Sequence, residues 1–159
     1  MPPPLSPPPP PTPPSQPLVP LFFSEYAEGS SNNKYLEIYN PTSAAVSLSG
    51  FAFPNANGGS AGQHDYWNTF DAGATVPAGS VYVVCHSSAD ASILAHCNET
   101  HNYLSNGDDG YCLVFGTESS HVRLDCVGDF SADPGSGWDV CGTSAGTNDH
   151  TLVRKMSVT

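Results

Sequence analysis

Basic side chains are almost missing from this chain: Lys34, Arg123, Arg154 and Lys155 are the only lysines and arginines among 159 residues. Against them stand 15 aspartates and glutamates, for a formal net charge of −11. Binding to a phosphate backbone depends on clustered Lys and Arg, so a direct nucleic-acid partner is not expected. An anionic membrane surface is disfavoured for the same reason. No apolar run approaches the roughly 20 residues needed to cross a bilayer, so membrane insertion is not expected either. Helical periodicity is also scarce. The acidic balance suits a soluble extracellular protein.

What the chain does have is uneven. Residues 2–17 are dominated by proline. Proline fixes φ and removes the backbone donor, so residues 1–17 are expected to form an extended linker in polyproline II at about 3.1 Å per residue. From Leu18 to Thr159 the composition becomes globular, one domain's worth of chain. Met1 leads straight into proline with no charged or apolar leader pattern, so a fragment of a longer protein is expected.

Cysteine usage points to an oxidising compartment. Five are present, Cys85, Cys97, Cys112, Cys126 and Cys141. Proximity suggests the bridges Cys85–Cys97 and Cys126–Cys141, leaving Cys112 over. Asn98-Glu99-Thr100 is a formal N-glycosylation acceptor, with Asn98 the modified residue.

Residues 25–40 organise the reading of the domain. Two runs rich in aromatic and β-branched residues flank Gly29-Ser30-Ser31-Asn32-Asn33, as expected for a β-hairpin. Pairing Glu28 with Lys34 places Tyr26 opposite Leu36 and Ser24 opposite Ile38 on the core face. The other face then carries Phe23, Glu25 and Ala27 against Tyr39, Glu37 and Tyr35. Glu25 directly opposite Glu37 destabilises a sheet unless a cation, a shared proton or water intervenes. The pair is therefore a candidate metal site.

Further strands are expected at 45–53 with a bend at Gly50, at 65–70, 80–85, 111–115 and 122–127, with a closing strand over 151–158. Residues 54–63 read as loop, and residues 90–95 as one or two helical turns with capping chemistry before them. Strand, turn, strand at short intervals argues an all-β antiparallel sandwich with at most one short helix.

Several pieces in order carry a family resemblance. Ser24-Glu25-Tyr26, Glu28-Gly29-Ser30, Asn33-Lys34 and Glu37-Ile38-Tyr39-Asn40-Pro41 open it. Leu48-Ser49-Gly50-Phe51, then Pro77-Ala78-Gly79-Ser80-Val81-Tyr82-Val83, continue it. Asn106-Gly107-Asp108-Asp109, Leu113-Val114, Asp125 to Gly128, Trp138 and Thr151-Leu152-Val153-Arg154-Lys155 complete it. Together they resemble the lamin-tail domain family over nearly all of residues 20–156. The resemblance implies an immunoglobulin-like β-sandwich and an accessory binding module, with no catalytic residues to carry over. Such domains also occur in secreted proteins beside enzymes or cell-surface modules. The cysteines and the proline spacer depart from the lamin version and speak against a nuclear role. Ser-Pro-Pro-Pro-Pro-Pro resembles the hydroxyproline-rich glycoprotein spacers of plant and green-algal walls, which implies hydroxylation and O-glycosylation there.

Other motifs reduce to structure. Gly58-Gly59-Ser60-Ala61-Gly62 matches the G-x-S-x-G nucleophile pattern, but in an Asn/Gly loop with no helix to follow. Cys85-His86 and His96-Cys97 have zinc-ligand chemistry. Neighbours on a strand point to opposite faces, so a disulfide is favoured. Asp108 and Asp109 are hard-oxygen candidates for calcium, in a run that also has the chemistry of a hairpin turn. His101 and His121 have no identifiable partner in the sequence. Tyr35, Tyr39 and Trp67 are candidate platforms for a glycan or a protein partner.

The expected function is a non-catalytic extracellular or cell-wall adhesion or tethering module. It would bind matrix protein, glycan or an adjacent catalytic domain, with no cofactor. The alternative is an accessory domain of a small secreted hydrolase, or that hydrolase itself.

Overall fold

The computed structural model describes residues 20–104 and 106–157. The proline-rich segment expected over residues 1–17 lies outside them. Eleven strands and one short helix are described: β1 Phe22–Glu28, β2 Lys34–Tyr39, β3 Val46–Ser47, β4 Phe51–Ala52, β5 Asn55–Ala56, β6 Thr75–Val76, β7 Val81–His86, α1 Ala91–Leu94, β8 Glu99–His101, β9 Gly110–Thr117, β10 Ser120–Val127 and β11 His150–Val153. The architecture is the all-β sandwich expected.

One sheet has the order β11-β1-β2-β7-β8, and the opposing one β10-β9-β4, with β5 also paired to β9. β3 and β6 form a small separate ladder. All named pairs are antiparallel except β7–β8. A parallel neighbour needs a crossover rather than a hairpin. Here α1 makes it, and the Cys85–Cys97 disulfide closes it.

Tyr26, Leu36, Ile38, Phe51, Phe53, Val84, Tyr111 and Leu113 meet between the sheets. Each such aliphatic or aromatic side chain contributes about 1.5–3 kcal/mol on burial. β9 is buried on both faces: Tyr111 and Leu113 enter this core, while Cys112 and Val114 join Ala52, Ala56 and Phe130 on the other side, with Trp67 packed against them.

The β1–β2 hairpin keeps the expected pairs Glu25↔Glu37, Tyr26↔Leu36, Ala27↔Tyr35 and Glu28↔Lys34. Its five-residue turn needs Gly29, where a Cβ would meet the Asn33 carbonyl oxygen at 2.6 Å. The expected register fails beyond Glu25. A bulge at Ser24 moves Phe23 opposite Ile38 and Phe22 opposite Tyr39. One extra residue reverses the alternation, so Phe23 turns into the core at 2% exposure instead of facing outward.

Other expectations need correction. The run 45–53 divides at Gly50, φ +83°, and its halves β3 and β4 join different ladders. The expected loop 54–63 begins with a strand, β5. The expected strand 65–70 is instead a loop touching its neighbours through isolated bridges, Asn55↔Tyr66 and Ala52↔Thr69. β8 was not expected at all.

Cysteine pairing also departs from proximity. Cys112 lies directly opposite Cys126 in the β9–β10 ladder, with Cα atoms 4.1 Å apart, and the two are bridged. Cys126 is therefore not joined to Cys141, which is free and exposed in the turn that brings Val140 to Thr143. Cross-strand register, not sequence distance, decides the bridge.

Candidate functional site

Alternation along β1 and β2 puts Glu25, Tyr35 and Glu37 together on the outer face of the five-stranded sheet. With Val83, Ile93 and His96 they line a concavity of about 410 Å³. Opposed carboxylates would repel, and the structure gives each its own donor. The Tyr35 hydroxyl donates to Glu25 Oε2 at 2.8 Å, and the Ser24 hydroxyl donates to Glu37 Oε1 at 2.7 Å. The bulge at Ser24 is what supplies the second donor. Burial pushes the Tyr35 hydroxyl up to about 12, with the hydrogen bond to Glu25 adding to it, so it remains a donor at neutral pH. Tyr39 shares this face with Tyr35 and Glu37 by the alternation of β2, as expected, and the bulge in β1 brings Phe22 opposite it in place of Phe23, with ring centroids 5.5 Å apart.

The floor of this concavity is cross-linked. α1 lies over β7 through the Cys85–Cys97 bridge, leaving His86 and His96 as separate side chains. His86 Nδ1 accepts from the Ser88 backbone N–H at 3.0 Å. Asn98 is exposed next to this bridge, and its Oδ1 accepts from the Val83 N–H at 2.8 Å.

The remaining candidates lie apart from this face. Asp109 is buried and caps its own turn: its Oδ2 accepts the Asn106 N–H at 2.6 Å, while its carbonyl accepts from the Trp138 indole. Asp108 is half-buried in the same turn. Among the described residues, no group of three or more His, Cys, Asp and Glu is arranged to hold a metal ion. Neither Glu25 with Glu37 nor Asp108 with Asp109 gains a third such ligand.

Ser60 is half-buried, and its hydroxyl donates to Asp65 Oδ2 at 2.5 Å. That bond, with the Asn57 N–H, holds the Asp65 carboxyl below the usual range. A nucleophilic serine needs a base on its hydroxyl. The neighbouring His64 turns instead to Glu118, 3.2 Å away on the β9–β10 turn. Trp67 stands between His64 and His121, with ring centroids 5.3 Å and 4.9 Å away, its other side against the small outer cluster. It is a half-buried packing residue rather than an open platform.

A second concavity, of about 470 Å³, escaped the sequence reading. Asn55, Asn68, Asn102 and Asn106 contribute to its wall together with Tyr66 and Tyr103. Each of those asparagines reads singly as a turn residue. The signal available in sequence was their excess around 55–68 and 102–106, which gathers only once β5, β8 and β9 are placed. Tyr66 and Tyr103 are 58% and 79% exposed, far more than Trp67.

Comparison with known proteins bears on the whole domain. The family model described as Lamin Tail Domain matches residues 14–125. The match ends within β10, but β11 beyond it pairs with β1 and completes the first sheet. No curated protein matches the chain.

Proposed function

This chain belongs to the lamin tail domain family, and from that premise we propose that it is a non-catalytic adhesion or tethering module working outside the cell. It would hold a matrix protein, a glycan or a neighbouring catalytic domain, with the proline-rich segment as its spacer. The observation that carries this reading is the pair of tyrosine-bearing concavities, one on the outer face of the five-stranded sheet and one lined mainly by loops around β5 and β8. Such surfaces give contact area at little entropic cost. Two disulfides favour an oxidising compartment. The Ser60 hydroxyl engaged by an acid speaks against a hydrolase.

The test is a purified domain presented to matrix-protein and glycan arrays, alongside ester and phosphodiester substrates. Retention without turnover is expected. Turnover abolished by Ser60→Ala or by a chelator would replace this reading with the hydrolase.

A further inference from the structure

The asparagine-lined cleft has its side chains fixed in a definite order of donors and acceptors. Asn68 Nδ2 donates to Asn55 Oδ1 at 2.9 Å and to the Phe53 carbonyl at 3.1 Å. Asn55 Nδ2 passes the chain on to Asn57 Oδ1 at 2.7 Å. From other segments, Asn102 Oδ1 accepts from the Ser87 hydroxyl at 2.6 Å, and Asn106 Oδ1 accepts from Lys34 Nζ at 2.8 Å. The Phe53 carbonyl and the Lys34 ammonium each allow one role only, which fixes the sense of the Asn68 and Asn106 amides and, through Asn68, that of Asn55. One acceptor, Asn68 Oδ1, and two amino groups, those of Asn102 and Asn106, have no partner among the described residues.

The apolar part of the cleft is equally defined. Leu104, 7% exposed, is part of the lining, and Tyr66 and Tyr103 bring largely exposed rings from two different chain segments. The volume falls within the roughly 300–1,000 Å³ range of small-molecule sites. Among the described residues no Lys, Arg or His lines it, and the one acid that does, Asp109, is already hydrogen-bonded within its turn.

We propose that this cleft binds a neutral saccharide. A sugar hydroxyl both donates and accepts, and neighbouring hydroxyls on a ring suit amides that present fixed acceptors and donors side by side. The apolar C–H face of the ring needs an aromatic surface, which an exposed tyrosine supplies. Charged ligands fit poorly. Among the described wall residues an anion would meet no cation, on a chain of net charge −11, and a cation would find a single engaged carboxylate. The inference rests on the reading as a binding module and names the ligand class for one of its two concavities.

The experiment uses the purified chain on an array of neutral glucans, mannans, galactans, xylans and arabinans, with uronic-acid and sulfated saccharides beside them. Hits are followed by calorimetric titration with the soluble oligosaccharide. Affinity near the millimolar range, selective for neutral sugars, is expected. Tyr103→Ala and Asn102→Ala alter exposed side chains, so the thermal midpoint should hold while affinity falls at least tenfold and threefold respectively. Cys141→Ser, outside both concavities, should leave the titration unchanged. Preference for acidic sugars overturns the proposal, as does binding indifferent to both cleft variants. Matrix-protein retention without any sugar binding sinks this inference and leaves the adhesion reading standing. Loss of all binding sinks both.

Discussion

The two long hairpins, β1–β2 and β9–β10, are secured at opposite ends and by opposite means. β1–β2 is tied beside its turn by Lys34 Nζ to Glu28 Oε1 at 3.2 Å, both side chains only 8% exposed. β9–β10 is tied far from its turn by the Cys112–Cys126 bridge. The ion pair acts only in the folded chain and must offset the desolvation of two charges. The disulfide acts mainly by restricting the unfolded chain. Each hairpin also has one bulge, after Phe23 and after Arg123, and the bulges meet. The Phe23 N–H donates to Asp125 Oδ2 at 2.8 Å, Arg154 pairs with the same carboxylate, and Arg154 Nε donates to the Phe23 carbonyl at 2.8 Å. The opposing sheets are thus joined where both ladders are irregular, because bulged backbone leaves polar groups free to find partners elsewhere.

The sharpest way to break this contrast is Lys34→Met. It strands Glu28 in a buried position, with the Asp149 N–H at 2.6 Å as a remaining donor. A loss of about 3–5 kcal/mol is expected from leaving one charge of a buried pair. The double variant Lys34→Met with Glu28→Gln removes both charges and should recover most of that loss in urea denaturation. If the double variant is as unstable as the single one, the uncompensated charge is not the cause.

The second hairpin should respond to redox state instead. Cys112→Ala with Cys126→Ala is expected to cost about 3 kcal/mol, the value for closing a loop of this length. Cys141→Ser should cost nothing measurable, and alkylation of the folded, unreduced protein should label Cys141 alone, read by mass spectrometry. Label on Cys112 or Cys126 in place of Cys141 would contradict the bridge. Between these two in position, Asp125→Ala uncouples the bulges. A loss of about 1–3 kcal/mol is expected from the unpaired Phe23 N–H and the separated Arg154, and Asp125→Asn should recover part of it.

Legibility follows the same division. The turn end of β1–β2 could be read because Glu28, Tyr26, Leu36 and Lys34 lie close in sequence and alternate without interruption. The bulge at Ser24 could not, because its partners Asp125 and Arg154 are 102 and 131 residues away from Phe23. The Cys112–Cys126 bridge depends on a register that a second bulge shifts, so nearness in sequence misled. The outer-face site was visible as a clash between Glu25 and Glu37, yet its resolution by Ser24 was hidden for the same reason. The asparagine cleft was illegible since local chemistry gives each residue a sufficient role as a turn former. β8 is three residues long and pairs in parallel through a crossover, which leaves no hairpin signal.

That short strand supplies the smallest effect and a control for both hairpins, because it carries two groups shifted in opposite directions. Burial, reinforced by His86, holds the His101 imidazole below its ordinary 6.5. Burial raises the Glu99 carboxyl above its ordinary 4.5, against the pull of the Asp71 N–H at 3.0 Å and the Tyr82 hydroxyl at 2.8 Å. The unfolded chain therefore binds a proton at His101 more readily than the folded one, so that contribution is complete above about pH 6.5 and lost as pH falls. At Glu99 the folded chain binds the proton more readily, so its contribution is complete below about pH 4.5 and lost as pH rises. In thermal melts from pH 7.5 to 5, wild type should lose ground to His101→Phe and gain on Glu99→Gln. Each change should amount to a few degrees or less, since both groups are only partly shielded. Neither the Lys34→Met nor the Cys112→Ala, Cys126→Ala background should alter those two slopes, as β8 touches neither lock. Parallel curves for wild type and both variants would show that the acid response of the domain resides elsewhere.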